Sequence, residues 1–310
     1  MTIKNFVIFA TDHLGDNLVL YELIYNIRNI YKTVNISLVV HPNGKIIGDM
    51  LDGIDRVVTW DKSIKGLKGA LELKKQIGYK QVFATIITFT RQRPIFTAQI
   101  LNSKYILFHD INFIFNTFLR RCKYKINNNK EIPISTNVAN LLQGISKEKI
   151  VHVPVKLNIE NLANMGIDTN YSNYIAINPI GIGDYKCLTV EQLADIISFF
   201  NNQNVPVLIL GKGDKAFEYS NSLKILNLNF IDLINKTRIE ELIWIIKSVK
   251  GLISVDTGTA HLATYLNIKT LWLAKDSQWI PDYLYKNAKR LSLNSKPADI
   301  YQEVIKLCEN

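Results

Sequence analysis

Short apolar runs rich in Val, Ile and Phe alternate with helix-length stretches along this 310-residue chain, and the alternation starts twice. The first round has strands at Phe6–Ala10, Ile36–Val40, Arg56–Trp60, Gln81–Ile87 and Tyr105–Phe108. Helices fit about Asp16–Tyr31, a lysine-rich stretch ending near Gly78, and about Thr97–Leu101. The second round has strands at Tyr174–Asn178, Pro206–Leu210, Asn229–Leu233, Gly251–Val255 and Thr270–Leu273. Between them lie helices at Thr189–Asn201 (with Thr189 as cap), 215–224, Arg238–Ser248 and His261–Leu266. Strands without polar alternation are buried on both faces, and strands joined by helices form parallel sheets. An irregular region, 110–150, and the extended run His152–Lys156 separate the two rounds. The chain is therefore expected to be α/β, with two Rossmann-like domains, 1–155 and 156–310, facing each other across a cleft. Ligands of open parallel sheets bind at the carboxyl ends of the strands, which makes that cleft the expected site.

Composition narrows the setting. With 47% hydrophobic and 21% charged residues, the chain has the balance of a soluble globular protein. The first apolar run ends by Ala10, too short for a signal-peptide core or a bilayer span, and no stretch reaches about eighteen apolar residues. Cys122, Cys187 and Cys308 have neither metal-ligand nor disulfide spacing, so a reducing cytoplasm is expected. The formal net charge of +10 attracts anionic partners. Much of it falls at Arg91, Arg93, Lys104, Arg120, Arg121, Lys123, Lys125 and Lys130. This stretch reads either as a solvated basic face or as a surface for an anionic membrane or a phosphate-rich acceptor. No zinc-finger spacing, aromatic RNA-binding signature or heptad basic region supports nucleic acid.

Four segments at strand ends carry residues suited to chemistry. In Ile253–Ala263 an apolar strand ends in Asp256, small residues make the turn, and a helix begins. Backbone N–H groups at such a start suit a phosphate, and Gly258 permits close approach; equally, Asp256 or Thr257 is a simple helix cap. After the first strand, Asp16 in His13-Leu14-Gly15-Asp16-Asn17 is placed to take a proton from a hydroxyl, or else to cap the next helix. The loop Asn178–Lys186 offers an ammonium, Lys186, to a diphosphate leaving group, or merely a solvated lysine. Gly211-Lys212-Gly213-Asp214-Lys215-Ala216, with Asp232 about twenty residues on, satisfies a relaxed dinucleotide fingerprint. It follows the second strand of its half, not the first, so an NAD(P)-dependent oxidoreductase is the lesser alternative. No His, Asp, Glu or Cys cluster has metal-ligand spacing, and the Asp-x-Asp pair of metal-dependent sugar transferases is missing.

Leu14-Gly15-Asp16, Lys186, and Val255-Asp256-Thr257-Gly258 through His261-Leu262-Ala263 together resemble glycosyltransferase family 9, the ADP-heptose:lipopolysaccharide heptosyltransferases and relatives. The resemblance implies a GT-B fold, whose last helix can pack back on the N-terminal domain, and inverting, metal-independent transfer without a cofactor. It implies a sugar, heptose favoured, moved from a nucleotide-sugar donor, ADP-heptose favoured, to a lipopolysaccharide, lipooligosaccharide or related surface-glycan acceptor. Asp16 is then the base and Lys186 the group that stabilises the departing diphosphate. Thr257, Gly258 and His261 hold the donor phosphates, Asp256 orients the sugar or the loop, and Gly181 and Thr259 are further donor-binding candidates. Asp214 and Glu218 are the candidates for the ribose. Arg91, Arg93, Arg120 and Arg121 are assigned to a phosphorylated glycolipid acceptor or the inner face of the cytoplasmic membrane. A non-catalytic nucleotide-sugar-binding homologue is the third reading. Ahead of the lysine, where the family often carries hydroxyl residues, this chain has Gly181-Ile182-Gly183.

Overall fold

The computed structural model describes residues 3–11, 14–60, 66–88, 92–109, 123–126, 132, 134–159, 170–275 and 286–309. The chain divides into two compact units, Met1–Asn158 and Ile159–Asn310.

The first unit runs β1 (Lys4–Ala10), α1 (Leu14–Leu18), α2 (Tyr21–Ile30), β2 (Val34–Val40), α3 (Lys45–Met50), β3 (Arg56–Thr59), α4 (Gly66–Ile77), β4 (Val82–Ile87), α5 (Gln92–Ile100), β5 (Ser103–His109), β6 (Lys123–Ile126) and α6 (Ile134–Ala139). Its six strands are ordered β3-β2-β1-β4-β5-β6, and every pairing is parallel. Phe6 to Ala10 are at most 1% exposed, as expected of a central strand covered on both faces. On one face Leu73 and Ile77 of α4 and Ile95 and Ala98 of α5 join Val7, Phe9, Val39 and Trp60 in one apolar cluster. Elsewhere α2 is tied to the chain after α6 by polar contacts. The Asn26 amide donates to Val151 O (2.9 Å) and accepts from Val151 N (2.8 Å), while His152 Nδ1 meets the buried Glu22 carboxylate at 3.0 Å. Burial pushes the Glu22 carboxyl above its ordinary range, and the neighbouring His152 works against that shift.

The helix read as Asp16–Tyr31 is two helices, because α1 stops at Leu18 and α2 restarts at Tyr21. Asp16 therefore lies within α1 and is not the N-cap residue of α2, which is Leu20. The short α1 packs on α3 through a tight contact. In the turn leading into α3, a Cβ on Gly44 would stand 2.6 Å from the Asn17 amide nitrogen, so a larger residue there would displace that side chain.

The second unit runs β7 (Ile175–Asn178), α7 (Val190–Asn202), β8 (Val207–Ile209), α8 (Asp214–Ile225), β9 (Ile231–Asp232), α9 (Ile239–Ser248), β10 (Gly251–Val255), α10 (Gly258–Tyr265), β11 (Thr270–Ala274), β12 (Ala288–Ser292) and α11 (Pro297–Glu309). Its order, β12-β11-β10-β7-β8-β9, is again all parallel. Renumbered within the unit, this is the same 3-2-1-4-5-6 order as in the first. The sequence starts α7 where the cap predicts: Thr189 Oγ1 accepts from Gln192 N (3.1 Å) and Gln192 Oε1 from Thr189 N (2.8 Å). The final helix, α11, packs on α7 and on β10, β11 and β12 of its own unit, with Ile300, Val304 and Leu307 in that unit's core. In a doubly wound sheet the crevice lies where the strand order reverses, here between β1 and β4 and between β7 and β10. The candidate segments Leu14–Asn17, Asn178–Lys186 and Asp256–His261 follow β1, β7 and β10 respectively.

Candidate nucleotide-sugar site

Strand register brings the second unit's candidates together. Asn178, last in β7, pairs with Ser254 of β10, so the two following turns emerge side by side. Asn178 Nδ2 donates to Thr257 Oγ1 at 3.1 Å across the turns, and Ser254 Oγ lies 3.1 Å from the same hydroxyl. Thr257 is extended (φ −145°, ψ 166°) and is the N-cap of α10, its Oγ1 accepting from Ala260 N at 3.4 Å. Ser254 Oγ donates to Val255 O at 2.8 Å, so the Thr257 hydroxyl proton is directed at Ser254. The Thr257 side chain is thus occupied inside the turn. Ala260 N and His261 N donate to Thr257 O at 3.1 and 3.3 Å, so the first-turn donors left for an anion are the backbone N–H groups of Gly258 and Thr259.

The Lys186 ammonium is held by the Asp256 carboxylate in a short ion pair, with the two side chains 24% and 14% exposed. The pair depends on Gly181. A Cβ there would stand 3.0 Å from Lys186 Cβ, 3.1 Å from Lys186 O and 3.3 Å from Asp256 O. The loop folds back through Leu188 N to Pro179 O (3.0 Å) and a 3-10 turn at Asp184–Lys186, preceded by Gly183 at φ +86°. Lys215 of α8 pins it from outside through Asp184, at 2.5 Å.

His261, in the first turns of α10, packs edge-on against Trp272, ring centroids 5.0 Å apart. Burial holds its imidazole down to about 4, with the Lys186 charge adding to that effect and the Asp256 charge opposing it. The ring is therefore neutral at physiological pH. Among the described residues its buried Nδ1 has no hydrogen-bond partner, and neither has the buried Asn178 Oδ1. Two unmet polar atoms flanking one helix start are what a bound polar ligand or trapped water would satisfy. Asn178 and Ser254 were not among the residues chosen from sequence; an Asn at a strand end before Pro179 was the only signal they offered.

The remaining candidates sit elsewhere. Asp214 and Glu218 lie on α8, in its first turn and four residues on, and Thr259 is half-buried in α10. Asp16 lies on α1 of the first unit, half-buried. Arg93 of α5 stands 5.9 Å from the centre of the Trp60 ring. Arg91, Arg120, Arg121 and Lys130 lie outside the described residues, as do Asp12, His13 and Cys122. In the 211–213 turn, Asn235 Oδ1 accepts from Gly213 N at 2.7 Å and Asn235 Nδ2 donates to Gly213 O at 3.1 Å. The amide that a dinucleotide pyrophosphate would need is already taken. Among the described residues no group of three or more His, Cys, Asp or Glu side chains gathers as a metal site would require.

Comparison with known proteins decides the lineage. The model of glycosyltransferase family 9 (heptosyltransferase) matches residues 136–298, more than half of the chain and every donor-side candidate above. The chain belongs to glycosyltransferase family 9. Family membership makes it a glycosyltransferase of heptosyltransferase type. The fold agrees: a family 9 glycosyl transferase from Veillonella parvula superposes with a TM-score of 0.80 at 14% identity, over 99% of this chain and 97% of that one. E. coli ADP-heptose lps heptosyltransferase II gives 0.77 at 14% identity, over 99% and 98%. E. coli heptosyltransferase WaaC with ADP gives 0.75 at 14% identity, over 98% and 99%. These neighbours are GT-B enzymes, and the two Rossmann-like units here are the halves of that fold. No curated protein matches the chain.

Proposed function

We propose that this glycosyltransferase moves a sugar, heptose favoured, from a nucleoside-diphosphate donor, ADP-heptose favoured, to a lipopolysaccharide, lipooligosaccharide or related glycolipid at the cytoplasmic membrane face. Transfer is inverting and needs no metal. The observation that carries the reading is the Lys186–Asp256 pair beside the start of α10 at the β7/β10 switch point. There a diphosphate meets an ammonium and the N–H groups of Gly258 and Thr259 at one helix end. The similar WaaC structure is one solved with ADP, and another is solved with ADP-2-deoxy-2-fluoro heptose.

In the proposed reaction the acceptor hydroxyl oxygen attacks the anomeric carbon as its bond to the diphosphate breaks. Asp16 takes the hydroxyl proton. Lys186 and the α10 amides offset the charge that develops on the leaving group, and His261, neutral, supplies one hydrogen bond. Asp214 or Glu218 binds the ribose. Arg93 and, among residues outside those described, Arg91, Arg120 and Arg121 bind acceptor phosphate. The test is a turnover and thermal-shift screen against ADP-, GDP- and UDP-sugars, with Asp16→Asn as the key variant. Donor binding should persist while transfer falls by two or more orders of magnitude, on the order expected of a lost general base. Full turnover by Asp16→Asn would remove Asp16 from the mechanism, and stabilisation by no sugar nucleotide would remove the donor site.

A further inference from the structure

Helix α4 has one face in the core and an outer face of unusual makeup. Gly69, Ala70, Leu73 and Ile77 are buried against the sheet. Turned outward are Leu67 and Leu71, 54% and 50% exposed, one helical turn apart. Lysines surround Leu71 at three helical neighbour positions: Lys68 at −3, Lys74 at +3 and Lys75 at +4. None of the three is paired with a carboxylate among the described residues. The adjoining α5 buries Ile95 and Ala98 in the same cluster as Leu73 and Ile77, so the two helices cover the same face of the sheet. It too points an aromatic outward, Phe96 at 45% exposure. Together α4 and α5 hold Lys68, Lys74, Lys75 and Arg93 against Glu72 alone, four cations less one carboxylate, a net +3.

We infer that this outer face of α4 and α5 docks on an anionic phospholipid bilayer, Leu67, Leu71 and Phe96 entering the headgroup boundary and the lysines lying among the phosphates. The charge chooses this occupant. Large apolar side chains standing in water inside a basic collar are the makeup of helices that lie in a membrane interface. Each lysine near an anionic leaflet adds about 1 kcal/mol of attraction, roughly a fivefold gain in partitioning. A second copy of the chain fits badly, because a two-fold interface places the patch against itself and faces the lysines with lysines. The pocket beside α4 is lined by Glu72 and Gln76 and by none of the three lysines, so it is not a site for a small anionic ligand. The inference extends lipid contact from the 91–130 stretch, to which α5 belongs, onto α4. It deepens, and in its purpose rests on, the reading of a glycolipid acceptor.

The test is co-sedimentation of the full chain with vesicles of phosphatidylglycerol mixed with phosphatidylcholine, against phosphatidylcholine alone. The protein should partition at least about tenfold more strongly onto the anionic vesicles, and less so as salt is raised. Leu67→Ser/Leu71→Ser and Lys68→Glu/Lys75→Glu should each lose about tenfold of that binding. Both should keep wild-type turnover on a water-soluble, deacylated acceptor. Equal binding to both vesicle types, or vesicle binding unchanged in either double variant, overturns the proposal. So does a dimer in solution that Leu67→Ser/Leu71→Ser converts to monomer. Vesicle binding without turnover of any sugar nucleotide would instead sink the transferase chemistry and leave the lipid contact standing.

Discussion

The residues around α10 divide the work in a way their types alone do not reveal. Thr257 spends its hydroxyl on the turn, accepting from Asn178 and Ala260, so the phosphate-binding capacity of this segment lies in its backbone. His261 carries a signature that can be measured. Its folded form holds the imidazole down to about 4 against an ordinary 6.5, so below 6.5 the unfolded chain takes up a proton that the fold refuses. The contribution to stability is fully present above pH 6.5 and is lost as pH falls toward 4. It amounts to something on the order of 1–3 kcal/mol. Thermal melts of the wild type and His261→Gln across that window check it: the variant should show the shallower decline, and parallel curves would refute the assignment.

At the scale of elements, two turns must come within van der Waals contact for the Lys186–Asp256 pair to exist. Gly181 stands between them facing two carbonyl oxygens that cannot rotate away, so the strain of Gly181→Ala falls on the backbone. That variant should lose about 1 kcal/mol of stability and about tenfold in ADP affinity, read by denaturant titration and calorimetry. Unchanged ADP affinity would show that the two turns tolerate separation. How much of this was legible in the sequence depends on the kind of signal. Phe6–Ala10, Gly251–Val255 and the Thr189 cap announce themselves through local composition, and they locate the turns that follow. The break between α1 and α2 does not, because apolar side chains run through Leu18, Val19 and Leu20 and leave no Gly or Pro to mark it. Strand β6, Lys123–Ile126, was missed because lysine alternating with Tyr and Ile resembles a solvated stretch. The Lys186–Asp256 pair joins residues 70 positions apart, and the Asn178–Thr257 bond rests on a strand register that no local pattern encodes.

For the whole molecule, the duplication is the informative feature: two units, each with a sheet in the same 3-2-1-4-5-6 order and each with its own apolar cluster. The twofold restart of the strand–helix alternation makes it legible in the sequence, since hydrophobic periodicity is a property of each stretch by itself. The order of strands was not visible, because it depends on which way each crossover turns. Between named strands, all ten pairings are parallel. This carries a kinetic consequence. A parallel pair cannot be closed by a hairpin; each needs a crossover of a dozen or more residues, so no strand pair can nucleate from a tight turn. The entropy of closing those long loops is lost before any ladder forms, which places such chains among the slow folders. Stopped-flow refolding from urea should therefore extend to seconds or longer, and completion within a millisecond would show that local helices, rather than sheet pairing, set the barrier.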